Sequence, residues 1–589
     1  MDYVLYLGYI ILLNPLVMKK FVFFLLLISS YSVLAQPFYQ KVTTGQIAND
    51  ISSSSQLAWG DYNNDGYQDL VIVPWNDGCW PCSYPILLYK NVGDGTFIRE
   101  INSIGQQVIN GNGAAWGDYD NDGKLDLYIT RYFNQTNLLF HNDGNGNFTQ
   151  VLSGSIVTDV NSSIGSSWGD YNKDGWLDLF VSNGQNQNDA LYKNNGNGTF
   201  TRITNDPIVL DGADGRSCSW GDYNNDSWPD MFVVNYGGQP DMLYKNNGNG
   251  TFTRIYNSGT TNDNAYGSGC SWADYDNDGW LDLYVTNNNA QNRLYHNERN
   301  STFTLSGTLP SFENGYSYIA NWADFNNDGW IDLFVPKRDG LNSLFMNANG
   351  VGFTKVTGDV VAYEGGVSDA GAWADFNNDG KIDLVVGNGS TTPLVTNYLY
   401  KNISTGGNYI TLKLSGCSLN KSAIGARIRI VGGNRVFLRE VGGGNASQNM
   451  LWQHFGLGNI TSIDSIIVYW TTGNTQKFTN VLSNQLMSIS ECTIGIINSQ
   501  LPVAYELSQN YPNPFNPATE IQYSIMKSGN VKLSVFDISG RLVNTIVDED
   551  QNYGTYKYSF DASGLSSGVY VYKLDAPGFS SVKKMVLVK

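Results

Sequence analysis

The chain has 589 residues, 64 of them glycine, with 13% aromatic residues and a formal net charge of −18. That length exceeds a single core and implies several domains. So acidic a balance excludes the clustered Lys and Arg that phosphate contacts need, hence nucleic-acid binding, and suits a protein that carries bound cations. A 41% hydrophobic fraction, in short apolar runs between Asn/Asp/Gly clusters, excludes disorder and predicts many short strands joined by tight turns.

Residues 1–35 read as a secretory signal region. Lys19 and Lys20 form a basic stretch, Phe21 to Ile28 an apolar one, and Val33-Leu34-Ala35 a cleavage site before Gln36. Met18, directly before the lysines, is the expected true start. The alternative, a membrane anchor over 4–35, is opposed by Asn14-Pro15 and the two lysines. No later segment is long and apolar enough to span a bilayer, so the mature chain is expected to carry no transmembrane span.

One pattern then recurs seven times: a small residue, Trp, Gly or Ala, and Asp-aromatic-Asn/Asp-x-Asp-Gly-x-x-Asp-apolar, at spacings of 50–57 residues. Each copy runs into an alternating apolar strand such as Leu179-Phe180-Val181. In most copies a Tyr-Lys-Asn strand, a Gly-rich turn and a Phe-Thr strand follow, which predicts a hairpin. Four strands per repeat make one propeller blade. Only six Phe strands follow such turns (Phe97, Phe148, Phe200, Phe252, Phe303, Phe353). The missing one appears in Phe38-Tyr39-Gln40-Lys41-Val42 at the mature N-terminus. The expectation is a seven-bladed β-propeller over 36–402, closed by that segment, which removes an open sheet edge. A linear array of blades is the alternative.

The Asp-rich loops have the chemistry of calcium sites, since Ca²⁺ takes six to eight oxygens. Positions 1, 3, 5 and 9 offer side-chain oxygens and position 7 its backbone carbonyl. The expected ligands in the first loop are Asp61, Asn63, Asp65, Tyr67 and Asp69. In the second they are Asp118, Asp120, Asp122, Lys124 and Asp126, and in the third Asp170, Asn172, Asp174, Trp176 and Asp178. The fourth has Asp222, Asn224, Asp226, Trp228 and Asp230, and the fifth Asp274, Asp276, Asp278, Trp280 and Asp282. The sixth has Asp324, Asn326, Asp328, Trp330 and Asp332, and the seventh Asp375, Asn377, Asp379, Lys381 and Asp383. Glycine at position 6 permits the sharp turn. The fourth loop departs, with Ser227 in place of glycine and then Pro229. A strand follows position 9 at once, so these are strand-loop-strand sites and not EF-hands. The bland alternative is turns capped by their own Asp and Asn side chains. The loops hold 23 of the 53 acidic side chains, and about seven Ca²⁺ would bring the net charge from −18 to −4. These repeats resemble the FG-GAP/VCBS repeats of integrin-α-type propellers, over roughly 38–402. The resemblance implies Ca²⁺ in loops on one face.

Residues 407–491 carry no repeat but alternate in several strands, such as Tyr409-Ile410-Thr411-Leu412-Lys413-Leu414 and Ile466-Ile467-Val468-Tyr469-Trp470. With Ala423-Ile424-Gly425-Ala426-Arg427 and His454-Phe455-Gly456-Leu457-Gly458, the segment is similar to the ASPIC/UnbV domain of cartilage-acidic-protein-like proteins. Trp470-Thr471-Thr472-Gly473 stands where those show Trp-Pro-x-Gly. The resemblance implies an extracellular β domain and names no reaction. His454 has no catalytic partner near it in sequence and is expected to be structural.

A linker over 492–510 precedes Pro512-Asn513-Pro514-Phe515-Asn516-Pro517, and strands then run to Lys589. Residues 511–589 predict a small antiparallel, Ig-like β-sandwich. They resemble the type A C-terminal sorting domain of type IX secretion substrates. That implies the type IX secretion machinery as a partner, and export to the outer surface of a Gram-negative bacterium or beyond. An ordinary Ig-like adhesion module is the alternative.

In an exported chain the six cysteines are candidates for pairing. Cys79 with Cys82 would form a small loop disulfide. Cys218 and Cys270 occupy the same place in adjacent repeats, as a bridge or as buried thiols. Cys417 and Cys492 would clamp the third domain. No Ser/His/Asp set or zinc-spaced cluster is present among only three histidines, so no catalytic residue is expected. The expected function is a secreted or surface calcium-binding protein for adhesion or for a protein or glycan ligand, with Trp75, Trp80 and Tyr236 as exposed contact aromatics. A lyase or hydrolase on a propeller scaffold, or a passive calcium-stiffened matrix protein, are the alternatives.

Overall fold

A computed structural model describes residues 37–75, 84–261, 265–389, 395–492, 505–525, 529–551 and 554–589. The signal region, Cys79, Trp80, Cys82 and most of the linker lie outside the described residues.

Among the described residues, 39–402 form seven four-stranded antiparallel sheets. The third shows the plan. Ser163–Gly169 pairs with Asp178–Asn183, then Ala190–Asn194, then Phe200–Arg202, with Trp168 opposite Leu179, Leu179 opposite Tyr192 and Asn194 opposite Phe200. The second strand of each sheet is almost wholly buried, which is why it reads as a continuous apolar run.

Tryptophan joins consecutive sheets. The indole N–H of Trp116 donates to Ala58 O (3.3 Å), that of Trp168 to Ala115 O (3.3 Å) and that of Trp220 to Ser167 O (3.1 Å). Trp59 donates to Ala372 O (3.1 Å), so the first sheet meets the seventh and the ring is closed. The small residue after each Trp is required by this contact: a Cβ on Gly117 would lie 2.8 Å from the Trp168 ring. The N-terminal segment completes the seventh sheet as expected. Tyr39–Val42 pairs antiparallel with Tyr398–Asn402, Tyr39 opposite Asn402, and Asp359 accepts from the N–H groups of Phe38 (2.7 Å) and Tyr39 (3.0 Å).

The third domain has two sheets. Gln453–Gly458, Asn408–Ser415 and Gln485–Ser490 form one, and Arg435–Glu440, Arg427–Gly432, Ser462–Tyr469 and Thr475–Leu482 the other. Its core is continuous with that of the propeller: Ile428, Phe455 and Val468 belong to the same buried cluster as Trp168 and Tyr192.

The segment Gly442–Met450 leaves this domain and enters the propeller axis, where it meets the innermost strand of every sheet. Gln448 donates to Leu57 O and accepts from Trp59 N (2.8 and 3.1 Å). Ala446 O accepts from Ala114 N (3.1 Å) and Gly443 O from Trp168 N (3.0 Å). Asn445 accepts from Ser217 Oγ (2.6 Å) and donates to Cys270 O (2.8 Å). Asn449 donates to Trp322 O (3.4 Å), and Met450 N to Trp373 O (3.1 Å). Innermost strands are sheet edges whose N–H and C=O groups need partners, and this small, polar segment supplies them. It plugs the ring.

The C-terminal sandwich pairs Glu506–Leu507, Ala518–Ile525 and Gly554–Asp561 in one sheet. The other holds Leu542–Gln551, Gly529–Asp537, Gly568–Ala576 and Phe579–Leu587. Ile521, Tyr523, Val531, Leu533, Tyr572 and Met585 fill its core.

Candidate metal centre

Each Asp-rich loop links the innermost strand of a sheet to the next strand, so all seven lie on one face of the ring. In the third loop Asp170 Oδ1 accepts from Asp174 N (3.0 Å) and Oδ2 from Gly175 N (2.9 Å). Asn172 Oδ1 accepts from Asp174 N (2.9 Å), and Asp174 Oδ1 from Trp176 N (3.1 Å). Asp178 Oδ1 accepts from Asn194 N (2.7 Å). Gly175 sits at φ +85°, where a side chain would be strained. The backbone thus fixes both oxygens of Asp170 and one oxygen of each other side chain. The seventh loop repeats the pattern at Asp375, Asn377 and Asp379, with Lys381 N closing on Asp379 (3.1 Å). The sixth repeats it at Asp324, Asn326 and Asp328, with Trp330 N closing on Asp328 (2.8 Å).

One carboxylate oxygen from each of Asp118, Asp120 and Asp122 lies within 4.8 Å of the others, and so do those of Asp274, Asp276 and Asp282. Burial and neighbouring carboxylates push Asp118 and Asp274 up to about 7. Burial lifts Asp69 to about 9, and raises Asp178, Asp230, Asp282, Asp332 and Asp383 well above the carboxylate range. Desolvated carboxylates held together resist ionisation unless a cation joins them. Asp61 Oδ1 and Asp69 Oδ2 are buried with no hydrogen-bond partner. These orphaned oxygens and the all-oxygen donor sets fit a hard divalent cation.

The fourth loop closes like the others despite its serine. Ser227 adopts φ +72° and its N–H donates to Asp222 Oδ2 (2.9 Å). Asn224 Oδ1 accepts from Asp226 N (2.9 Å), and Trp228 N donates to Asp226 Oδ1 (3.0 Å). Arg427 of the third domain also donates to Asp222 Oδ2 (3.0 Å), and Lys413 reaches Asp61 (3.2 Å) in the first loop. Loops two and five differ again: His141 faces Asp120 and Asp126 (3.2 and 3.3 Å), and His296 faces Asp276 (3.0 Å). Four other loops have a lysine there, as in Lys193 with Asp174 (3.5 Å).

Sequence reasoning missed the asparagine that ends each third strand. Asn194 Nδ2 donates to Leu177 O (3.0 Å) behind its own loop and to Tyr119 O (2.7 Å) in the preceding one. Asn91, Asn142, Asn246, Asn297, Asn347 and Asn402 repeat this, Asn91 reaching Phe376 O (2.7 Å) across the closure. The recurring Tyr-Lys-Asn was the available signal.

Of the cysteines, Cys417 and Cys492 form a disulfide. Cys218 and Cys270 do not bridge: both are buried free thiols, with Ser217 Oγ at 3.6 Å from Cys270 Sγ. Trp75 stacks on Phe133, and Arg216 lies over Tyr236 (4.3 Å). His454 is half-buried, bonded to Thr411 Oγ1 (3.0 Å) and Asn327 Oδ1 (2.7 Å), and loss of solvent around its ring holds it down at about 3.

The FG-GAP-like repeat model matches residues 61–129, 118–181, 170–233, 222–285, 274–335 and 324–386. The chain belongs to the FG-GAP-like repeat family. Residues 416–494 match the ASPIC and UnbV model, and 509–589 the secretion system C-terminal sorting domain. The tail therefore marks an extracellular, type IX-exported protein and implies contact with the secretion machinery. The chain is 25% identical over 301 residues to cartilage acidic protein 1 of Xenopus tropicalis, covering 44% of this chain and 45% of the relative. It is 24% identical over 299 residues to that of Homo sapiens, covering 46% and 45%. The chain thus spans about 45% of the length of the curated relatives it matches. No helix among the described residues is long and apolar enough to cross a membrane.

Proposed function

We propose that the chain is a calcium-loaded propeller, displayed at or released from the cell surface, that acts in adhesion or ligand binding and not in catalysis. The observation that carries this reading is the loop geometry: in seven loops on one face, backbone N–H groups orient the Asp and Asn oxygens of the repeat, and in loops two and five three carboxylates converge within 4.8 Å. Positions 1, 3, 5 and 9 of each loop would hold Ca²⁺ through their side chains, with the carbonyls of Tyr67, Lys124, Trp176, Trp228, Trp280, Trp330 and Lys381 beside them. The ion would supply charge neutralisation and rigidity. The chain's own residues do the rest: the asparagines tie each loop to its neighbour, and the plug fixes the axis. All three histidines are engaged, His141 and His296 with loop carboxylates and His454 in packing, which favours binding over acid–base chemistry.

The test is thermal unfolding of the full chain in millimolar Ca²⁺ and then in chelator, with elemental analysis of bound metal. About seven ions per chain and a large fall in unfolding temperature on chelation are expected. At ten times Kd each site contributes about 1.4 kcal/mol. No bound metal and no shift would leave the loops as self-capped turns. Calcium-dependent cleavage of a glycan would replace the binding reading with an enzymatic one.

A further inference from the structure

The repeat breaks at one junction. In six loops position 4 is an asparagine whose side chain donates to the carbonyl at position 6 of the next loop. Asn64 reaches Gly123 O (2.9 Å), Asn121 reaches Gly175 O (3.1 Å), and Asn225 reaches Gly279 O (3.1 Å). Asn277, Asn327 and Asn378 continue the series, the last closing onto Gly66 O (2.9 Å). Between loops three and four the link is absent, because position 4 is Lys173. The next loop carries the other two departures, Ser227 for glycine and Pro229 at position 8, where the other loops have Gln, Leu or Ile.

All three departures line one cleft of about 440 Å³ between these loops and the third domain. That volume is in the range of small-molecule sites, and domain boundaries are where such sites form. The opposite wall brings Arg427, Arg429, Tyr469 and Trp470. Three cationic residues thus line the cleft in a chain of net charge −18, Lys173 with its ammonium 4.4 Å over the Trp228 ring at the rim. Arg429 makes no side-chain hydrogen bond or ion pair among the described residues. Arg427 spends Nη1 on Asp222 and sets Nε against Glu440 Oε1 (3.4 Å), while its buried Nη2 lacks a hydrogen-bond partner. Glu440, Asp170 and Asp222 also reach the cleft. Glu440 is paired with Arg427 (3.4 Å), and the two aspartates are first ligands of loops three and four, so cations there would neutralise them. Tyr469 is 40% exposed, and Trp220 is partly exposed on the propeller side of the cleft.

We infer that this cleft binds an anionic saccharide. The planar guanidinium of Arg429, with Lys173 and Arg427, takes the acid group, since a guanidinium fork matches a carboxylate or sulfate. Tyr469 and the exposed part of Trp220 take the apolar face of a sugar ring; Asn225 and Asn474, whose amide nitrogens are spent on Gly279 O and Glu491, offer their amide oxygens to its hydroxyls, and Thr471 its hydroxyl. The inference rests on the calcium-loaded binding reading above.

The test is titration calorimetry of the full chain in millimolar Ca²⁺ with a uronic-acid trisaccharide, a sulfated disaccharide and a neutral trisaccharide. One of the two acidic sugars should bind saturably and the neutral one should not; which acidic sugar binds identifies the acid group. Arg429→Gln should weaken binding about tenfold or more. Tyr469→Ala should weaken it too, and both variants should keep the wild-type unfolding temperature. The site is overturned if neither acidic sugar binds, if the neutral sugar binds as well, or if both variants bind like wild type. A calcium-dependent unfolding shift without sugar binding overturns the saccharide site alone; sugar binding without the shift overturns the metal reading alone.

Discussion

The propeller and the C-terminal sandwich are both built from short antiparallel strands, yet they are held together by different chemistry. The sandwich closes over a contiguous apolar centre of Ile521, Tyr523, Leu533, Tyr572, Leu574 and Met585. In the propeller, apolar strands fill the space between sheets, but the ring itself is joined by polar groups. Indole and asparagine donors cross each sheet boundary, carboxylates gather in the loops, and a Gly/Asn/Ser/Gln segment fills the axis. Apolar burial is nearly indifferent to pH and to specific ions, whereas buried polar groups are stabilising only while each has its partner. The propeller is therefore the part of this chain that ions, pH and single-atom changes should reach.

The largest single-residue effect should come at the plug. A Cβ on Gly443 would lie 1.8 Å from Trp168 O, so Gly443→Ala must displace the segment from the axis. A loss of about 3 kcal/mol or more is expected in the propeller's urea transition. In the sandwich, Gly564 has open space around its Cβ position, and Gly564→Ala should change stability by less than about 0.5 kcal/mol. Equal effects would break the comparison. Next comes Asn246→Ala, which strips the donors from Tyr171 O (2.8 Å) and Pro229 O (3.1 Å). It should cost about 2 kcal/mol by the same measurement.

The smallest effect concerns pH. Burial, with Arg439 nearby, holds His454 down at about 3, so the folded state keeps it neutral while the unfolded chain protonates it below its ordinary value of 6.5. The histidine's contribution is complete above pH 6.5 and declines as pH falls below that value. His454→Gln should flatten that slope in unfolding measured from pH 7 to 5. The sandwich contains no histidine, so its transition should not change with the substitution.

Much of the ring was legible in advance because repetition multiplies weak local signals. One Asp-x-Asn-x-Asp-Gly turn says little, but seven in register, each behind a Trp and ahead of an apolar strand, specify strand order, loop position and donor set together. The unpaired Phe38–Val42 strand foretold the closure for the same reason: one absence stands out against six presences. The plug had no such signal. Gly442–Met450 has neither helical nor strand periodicity, and its partners lie as far away as Leu57 and Trp373. Cys218 and Cys270 show the limit in another way. Their equivalent positions in adjacent repeats left bridge and buried thiol both open, and the fold holds them as separate buried thiols, with Ser217 Oγ against Cys270 Sγ.

Sequence alone determined the all-β class, the seven-fold repeat, the oxygen-rich loops and the export tail, because each is written in local spacing and residue chemistry. Tertiary structure alone decided that the third domain plugs the ring, that asparagines tie loop to loop, and that Lys173, Ser227, Pro229 and Arg429 share one cleft. Those are contacts between segments tens to hundreds of residues apart. They exist only once the ring has closed and its inner edges have demanded partners.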